Sequence, residues 1–382
     1  MQKTRIKTKI IFSPKNKPDF INELRMEVNG YFSKKNISKY GNTDLVVKSL
    51  FMGSLYVVPY ILMITGIVYT VPLIILSWIT MGFGMAGLGM VLMHDANHGS
   101  FSRNPKVNSL LSKSLYFLGG FPPNWQYQHN TLHHGFTNIE DHDEDIDPGE
   151  FLRFSPHKPL RKIHRYQHLY AWFLYGLMTV SWVTAKDFVR LSKYKSEGVA
   201  LSGNRKYNQL LRDLILAKVL YYTFFLVLPV IILPIAWYAV VLLFIAMHFI
   251  SGFILTTIFQ TAHVMPSSEY PLPDETGNME NNWAVHQILT TANFAPKSRI
   301  LSWCIGGLNH QVEHHLFPNI CHVHYKAISP IVKETARKYN LPYHEENTFA
   351  DALFSHFKML KSLGRIPVEA VMEKDSIKAV SA

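Results

Sequence analysis

The stretch from Ser49 to Met93, SLFMGSLYVVPYILMITGIVYTVPLIILSWITMGFGMAGLGMVLM, contains no Asp, Glu, Lys or Arg. A helix that crosses a bilayer needs about 20 consecutive apolar residues, so this stretch has the length of two spans and is too long for one. Pro72 lies near its middle, where a short turn between two helices is expected. The stretch therefore predicts a membrane hairpin with helices at about 50–69 and 71–93.

A second stretch, from Val219 to Phe259, is also free of these four residue types and has Pro234 near its middle. It predicts a second hairpin, with spans at about 219–233 and 235–259. The alternative is that both stretches form buried helices of a soluble protein, but soluble domains rarely exclude charge over so many residues. The predicted fold is an all-α polytopic membrane protein with two transmembrane helical hairpins, four spans in all, and a cytoplasmic helical cap.

The charged residues indicate which side of the membrane carries the cap. The net charge is +11, although only 17% of residues are charged, below the ~25% typical of soluble proteins. Lys and Arg are concentrated before the first hairpin and between the two hairpins, whereas the hairpin turns carry none. Because positive charge marks the cytoplasmic side, both termini and the middle segment are predicted to be cytoplasmic. Contact with anionic lipids explains the positive charge without a nucleic-acid partner.

The chain divides by composition into three parts: a basic arm at 1–45, a membrane domain at 46–335 and a helical tail at 336–382. The arm shows no apolar run typical of a cleaved signal peptide, and it contains one amphipathic pattern at about Phe20–Phe32. The second predicted span is rich in glycine, which favours close helix packing but also leaves room for a long ligand. Those glycines are Gly82, Gly84, Gly87 and Gly89.

Histidines form the main chemical signal, because many of the 19 fall into short clusters. Histidines four residues apart lie on one face of a helix, and imidazole binds Zn, Cu, Fe and Ni. The predicted topology places all these histidines at one membrane face. Eight histidines exceed the four ligands of a zinc site, so two metal ions are expected. The clusters are HDANH (His94, His98), HNTLHH (His129, His133, His134) and QVEHH (Gln311, His314, His315), and a single histidine, His263 in FQTAH, follows the fourth predicted span.

Carboxylates near the clusters are expected to balance the charge of the metal ions. Asp95 and Glu313 lie inside the clusters, and Asn309 lies just before the last one. The acidic run Asp141, Asp143, Glu144, Asp145 and Asp147 is either a further set of supporting groups or a solvated loop.

The three clusters, spaced around two apolar hairpins, resemble the histidine boxes of the membrane fatty acid desaturases, and the match extends over about 50–325. Gln311 at the first position of the third box, and TTANF at 290–294 preceded by Trp283 and Gln287, resemble the front-end members of that family. The resemblance implies an iron pair and O2, acting on a long-chain fatty acyl substrate. It implies that the seven histidines of the boxes and His263, after the fourth predicted span, are metal ligands, and that Gln311 is a weak ligand.

Two departures from the family pattern change what is expected of this chain. The chain lacks the His-Pro-Gly-Gly motif of a fused cytochrome domain, so a separate electron donor such as a ferredoxin or a cytochrome is expected. Phe259 stands where a relative has a polar residue that reaches the metal through water, so this part of the site should differ. The substrate could be linked to CoA, a carrier protein or a phospholipid. Its headgroup could be held by Arg153, Arg161, Lys162 and Arg165, which could equally be membrane-facing basic residues.

Three other functions fit parts of the pattern. A membrane acyl or alkyl hydroxylase would use the same histidine boxes and differ only in its product. A zinc protease would use His310, Glu313 and His314, which match the His-x-x-Glu-His motif, but it leaves the other two clusters unexplained. A metal transporter would need polar ligands at mid-membrane depth, where His248 is the one histidine within a predicted span.

Overall fold

A computed structural model describes residues 9–203 and 205–368. It contains four helices that are long and apolar enough to cross a membrane, which confirms the four predicted spans. The first begins at Thr43, earlier than predicted, because the Asn42 side chain caps it by accepting from the Leu45 amide and Asp44 pairs with Lys48. The four spans are Thr43–Ile64, Val71–Asn97, Tyr207–Ile232 and Trp237–His263.

Glycines of the second span allow the close helix packing that the sequence favoured. A Cβ atom on Gly84 would lie 2.5 Å from the Tyr56 backbone nitrogen in the first span, and a Cβ on Gly82 would lie 3.0 Å from the Met247 carbonyl in the fourth. Gly89 differs, because a Cβ there would meet Leu255 at an ordinary 3.5 Å and the residue lines a cavity. The second span is thus the centre of the membrane bundle and one wall of a cavity.

The remaining elements are short helices that cover one end of the spans. Two of the spans contain a π-helical turn, Gly89–Met93 and Thr223–Val227, and two further π-helices are Gln126–His133 and Trp182–Lys186. Short 3₁₀ helices are Lys162–Tyr166 and His322–His324. The α-helices outside the spans are Phe20–Lys35, Pro105–Ser112, Ser114–Phe117, Pro122–Trp125, His134–Phe136, Gln167–Gly176, Met178–Ser181, Asp187–Ser196, Trp283–Leu289, Arg299–Cys304, Gln311–Leu316, Tyr325–Lys338 and Phe349–Leu363.

Both ends of the described chain pack onto the segment that carries the third histidine box. The predicted amphipathic helix is confirmed as Phe20–Lys35, which buries Phe20 and three more apolar residues at intervals of four against Tyr325–Lys338. Two parallel strand pairs join distant segments: Ile11–Phe12 with Asn278–Met279, and Asn293–Phe294 with Glu345–Glu346. These contacts build the helical cap on the membrane bundle.

The division into arm, membrane domain and tail stays a prediction. The helix Tyr325–Lys338 runs without a break through the expected boundary at 335. Residues 1–8 of the basic arm and residues 369–382 of the tail lie outside the described part of the chain.

Candidate metal centre

The first histidine box lies where the second span leaves the apolar bundle. The π-helical turn Gly89–Met93 precedes His94, and His98 follows the last turn of the span. The ring centroids of these two histidines are 4.6 Å apart. His94 is buried and His98 is half-buried.

The second box adopts a different helix from the one its spacing suggested. His129 and His133 lie on the π-helix Gln126–His133, and His134 begins the α-helix that follows. Four-residue spacing is compatible with α and π geometry alike, and single π turns are common at functional sites. All three side chains are buried.

The third box and His263 reach the same region from the opposite side. His314 and His315 occupy the last turn of the helix Gln311–Leu316, and His263 is the last residue of the fourth span. The His314 ring lies 4.6 Å from the His94 ring, and the His315 ring lies 4.4 Å from the His134 ring. The His133 ring lies 4.7 Å from His263.

The eight predicted histidines therefore form one continuous group with overlapping sets of close ring nitrogens. Within each set, one nitrogen per residue lies within 4.8 Å of the others. This spacing is close to that of imidazoles around a common ion, since metal–nitrogen bonds are about 2.0–2.1 Å long. The sets are His94, His98, His129 and His314; His133, His263 and His315; and His134, His314 and His315.

Unpaired nitrogens show that the group fits a metal. A buried polar atom without a partner is costly, so native proteins rarely leave one. Here the Nε2 atoms of seven of the eight histidines are buried and have no hydrogen-bond partner among the described residues. Metal ions would satisfy them. These are His94, His98, His129, His134, His263, His314 and His315.

Several of the opposite nitrogens, Nδ1, face acceptors supplied by the protein, whereas Nδ1 of His94 and of His134 makes no hydrogen bond to a described residue. His315 Nδ1 lies 2.8 Å from Gln287 Oε1, and His314 Nδ1 lies 3.0 Å from Tyr325 Oη. His133 Nδ1 lies 3.1 Å from a carboxylate oxygen of its neighbour in the acidic run, Asp143. Metal-binding histidines are oriented in this way, because a partner on one nitrogen directs the lone pair of the other towards the ion.

Burial also selects the protonation state that binds metal. Burial, reinforced by neighbouring imidazoles, holds the pKa well below its ordinary value at His98, His134, His314 and His315. His133 is an exception: burial alone would lower its pKa, but Asp143 and Asp145 outweigh burial and raise it to about 9. Metal binding at His133 would therefore displace a proton.

The acidic run is not simply a solvated loop. Asp143 and Glu144 are buried, and Glu144 is held by Arg190, Lys193 and the Tyr194 hydroxyl. Asp145 Oδ2 lies 3.6 Å from Nδ1 of both His129 and His133.

The other predicted supporting residues have different surroundings. Asp95 Oδ2 lies 2.8 Å from His322 Nδ1, and its other oxygen lies 4.0 Å from His94 Nδ1. Glu313 accepts hydrogen bonds from Tyr343 and Asn293, and burial raises its pKa to about 7. It supports the backbone of the third box without touching a box histidine.

Asn309 and Gln311 differ from each other. The Asn309 side chain accepts from Ser302 and donates to the Ala295 carbonyl, so it bonds the loop before the third box and not a histidine. Both polar atoms of the Gln311 amide are buried and make no hydrogen bond to a described residue. Gln311 therefore keeps a free polar end, which a weak ligand needs.

A cavity of about 570 Å³ adjoins the histidines, and its wall includes both apolar and charged residues; the charged ones are Glu144, Asp145, Asp147, Lys186, Asp187 and Arg190. Gly89, Met93, Met178, Trp182 and Leu255 supply much of its apolar wall, and the cavity reaches His129, His133 and His263. Phe259 is part of this wall, with its ring 6.1 Å from that of His94 and 6.0 Å from that of His129. This position is therefore part of the apolar surface of the cavity.

The four predicted headgroup residues do not line the cavity as the described residues define it. Arg153 is fully buried, and its guanidinium donates to backbone carbonyls at Lys158, Pro156, Leu363 and Ile366. It anchors the end of the chain, so its prediction as a headgroup ligand is wrong. Arg161 pairs with Glu150 at the surface, and Lys162 and Arg165 lie on the same exposed 3₁₀ turn.

Sequence reasoning missed several residues that position the rings. The Tyr325 hydroxyl lies close to His314 Nδ1, although nothing in the local sequence of Tyr325 indicates this contact. The Thr290 carbonyl lies close to His263 Nδ1, and Gln287 lies close to His315 Nδ1. The sequence pointed to Thr290 and Gln287 only through the resemblance to front-end desaturases.

Comparison with known proteins agrees with this geometry. The family model described as fatty acid desaturase matches residues 48–347. The chain is 34% identical over 351 residues to an acyl-lipid (8-3)-desaturase of Physcomitrium patens, a match covering 91% of this chain and 72% of the relative. It is 32% identical over 355 residues to an sn-1 linoleoyl-lipid 6-desaturase of Arthrospira platensis, covering 93% and 95%. A Synechocystis sn-1 linoleoyl-lipid 6-desaturase is 32% identical, covering 91% and 96%.

The extent of these matches decides between the functions that the sequence left open. They include all three histidine boxes, and the relatives are named as desaturases, which favours neither the hydroxylase nor the protease. The chain belongs to the fatty acid desaturase family and is a multi-pass membrane oxidoreductase.

Proposed function

We propose that this enzyme inserts a double bond into a long-chain acyl lipid, between an existing double bond and the carboxyl end, at two iron ions held by the eight histidines. The observation that carries the proposal is the group of unpaired, buried Nε2 atoms next to a cavity whose wall is largely apolar. Two ions are proposed because eight imidazoles exceed the coordination of one ion and form overlapping sets.

A bound iron pair would supply the oxidant, made with O2 and two electrons, that removes hydrogen from an unactivated methylene. The residues of this chain would supply position. Phe259 and the apolar part of the wall would hold an acyl chain beside His129 and His133. Fixing one methylene at that place selects the bond that reacts, because orientation contributes greatly to rate.

The substrate class is inferred from the relatives. The moss relative is named for acyl-lipid desaturation, and both cyanobacterial relatives for linoleoyl-lipid desaturation. Gln311 and the TTANF segment resemble the same front-end group. We therefore favour a lipid-linked acyl chain over CoA or carrier-protein forms.

Asp95, Glu313 and Asn309 are proposed to support the site through its framework, with Gln311 as a weak ligand. The remaining headgroup candidates, Arg161, Lys162 and Arg165, are proposed to lie at the membrane surface. The basic segments before and between the hairpins support a cytoplasmic location for both termini and the histidines. Electrons would come from a separate carrier.

The decisive experiment uses a host that lacks polyunsaturated lipids. The enzyme is expressed there, linoleic acid is supplied, and double bonds are located by mass spectrometry. A new double bond nearer the carboxyl end is expected, together with two irons per chain by elemental analysis. His315→Ala should abolish both, whereas His344→Gln, a half-buried histidine outside the group, should retain both.

Three other outcomes would contradict the proposal. Hydroxylated acyl chains would identify a hydroxylase. One zinc per chain without iron would revive a hydrolytic function. An unchanged lipid profile in the presence of a reduced electron carrier would exclude front-end desaturation of linoleic acid by this enzyme.

A further inference from the structure

A second opening also reaches the histidine group. It is separate from the cavity of about 570 Å³, which is called the acyl cavity below because it is proposed to hold the acyl chain. It is a groove of about 500 Å³, and its lining residues include Tyr40, Asn97, His98, Arg103, Asn108 and Gln126. None of the described residues that line it also lines the acyl cavity. His98 is the only one of the eight histidines that is not fully buried, so the groove is where the group comes nearest to solvent.

Hydrogen bonds connect the walls of the groove to neighbouring segments. Asn108 closes the turn after His98 by donating to the Gly99 and Ser102 carbonyls and accepting from the Ser102 amide. Gln126 donates to Asn97 Oδ1, which ties this turn to the second box. On the opposite wall, the Tyr40 carbonyl lies 3.0 Å from His324 Nε2, within hydrogen-bonding distance.

The lining of the groove carries positive charge and no negative charge. Its described lining residues are Tyr40 and members of the segment 96–126, which include Arg103 and no Asp or Glu. Lys39 precedes Tyr40 in the chain, and Lys106 follows the lining residue Pro105. Arg103 and Lys106 are exposed and make no ion pair with any described residue.

We propose that this basic groove docks an acidic one-electron carrier protein, whose electrons enter the metal centre through His98. This inference rests on the proposed function. Opposite surface charges steer such encounters and raise their association rate, and electron-transfer contacts are typically small. The separation of the groove from the acyl cavity would let the carrier reduce the centre while substrate is bound.

The electron balance sets how often the groove is used. One saturated –CH2–CH2– unit, O2, two electrons and two protons give –CH=CH– and two molecules of water. A one-electron carrier must therefore dock twice in each cycle, leaving oxidised after each visit. Repeated docking favours a weak, charge-steered contact over a permanent interface.

The test uses the full-length enzyme in neutral phospholipid nanodiscs, with an acidic [2Fe–2S] ferredoxin kept reduced by its reductase. The double variant Arg103→Glu with Lys106→Glu is compared with Lys297→Glu with Lys326→Glu, which makes the same charge change at exposed lysines that do not line the groove. We expect the groove variant to raise the KM for ferredoxin about tenfold and to weaken its salt dependence. The control pair should leave both near the wild-type values.

A single turnover driven by dithionite, which needs no docked protein, completes the test. The groove variant should give the wild-type yield of double bonds in that reaction. An unchanged KM for ferredoxin in the groove variant would overturn the docking surface. A loss that is equal with ferredoxin and dithionite would also overturn it, because it would show a structural or lipid-binding role for these cations.

The same reaction separates this inference from the function on which it rests. If the wild-type enzyme forms no double bond with dithionite and O2, the proposed function fails. If it forms double bonds, but the groove variant has the wild-type KM for ferredoxin, only the docking surface fails.

Discussion

Replacing Gln287 by leucine tests whether the Nδ1 contacts hold the proposed metal ligands in place. Gln287 is fully buried, and its Oε1 accepts from His315 Nδ1 at 2.8 Å and from the Thr137 hydroxyl at 2.9 Å. Leucine keeps the apolar volume but removes the acceptor. Thr137 retains the His133 carbonyl as a partner, at 2.7 Å, so His315 bears the main loss.

The expected loss follows mainly from the His315 contact, although leucine also removes the longer hydrogen bond from Gln287 Nε2 to the His134 carbonyl at 3.3 Å. Removing the partner of a metal-bound histidine typically weakens metal binding 10- to 100-fold, or about 1.4–2.8 kcal/mol. A buried donor without a partner also costs about 1–3 kcal/mol of folding free energy. We therefore expect Gln287→Leu to release iron at 10- to 100-fold lower concentrations of a competing chelator, measured by elemental analysis after equilibration.

Gln167→Leu is the matched control. Gln167 is equally buried and makes three amide hydrogen bonds, to the backbone of Arg153 and to the Leu360 carbonyl. This variant should lose comparable thermal stability and keep wild-type iron affinity. If Gln287→Leu holds iron as tightly as the wild type, or if both variants lose it equally, the orienting role assigned to the Nδ1 contact is refuted.

Three further predictions concern the membrane bundle. Lys218→Met should destabilise the fold by about 3–5 kcal/mol in thermal unfolding, because it leaves the buried Asp187 carboxylate, which lies 2.6 Å from the Lys218 ammonium, without its ion-pair partner. Adding Asp187→Leu should restore part of the lost stability. An additive loss in the double variant would refute the pairing. Gly84→Leu should lower the unfolding temperature, since even its Cβ would lie 2.5 Å from Tyr56 N, and a neutral result would contradict the close packing. Gly89→Val should retain the fold and the bound iron, because a Cβ at this position makes only ordinary contacts. Its side chain would occupy part of the cavity, so kcat/KM for long acyl chains, measured by product analysis, should fall about tenfold or more. Unchanged kinetics would show that acyl chains do not bind in the cavity.

The spans could be predicted because bilayer hydrocarbon solvates neither charges nor open backbone groups, so two long uncharged stretches had few alternatives. Their ends could not, because polar residues continue a helix wherever a cap or a partner satisfies them. The fourth span runs past Phe259 to His263 because Gln260 and Thr261 are buried and hydrogen-bonded within the cap or helix. Composition alone does not reveal such partners.

The sequence also predicted which eight histidines the fold brings together, since residue type and spacing carry the coordination chemistry. It did not determine the helix type of the second box, because four-residue spacing suits α and π turns alike and packing decided between them.

The partners of the rings depended on tertiary structure alone. Gln287 lies 28 residues from His315, and Tyr325 lies 11 residues from His314, so no local pattern connects either pair. Tertiary structure also decided the role of Arg153. As a basic residue between the hairpins it was predicted to bind a headgroup, but the fold buries it among backbone carbonyls near the C-terminal helix. Local sequence determines what a side chain can do, whereas contacts between distant segments decide which neighbour it meets.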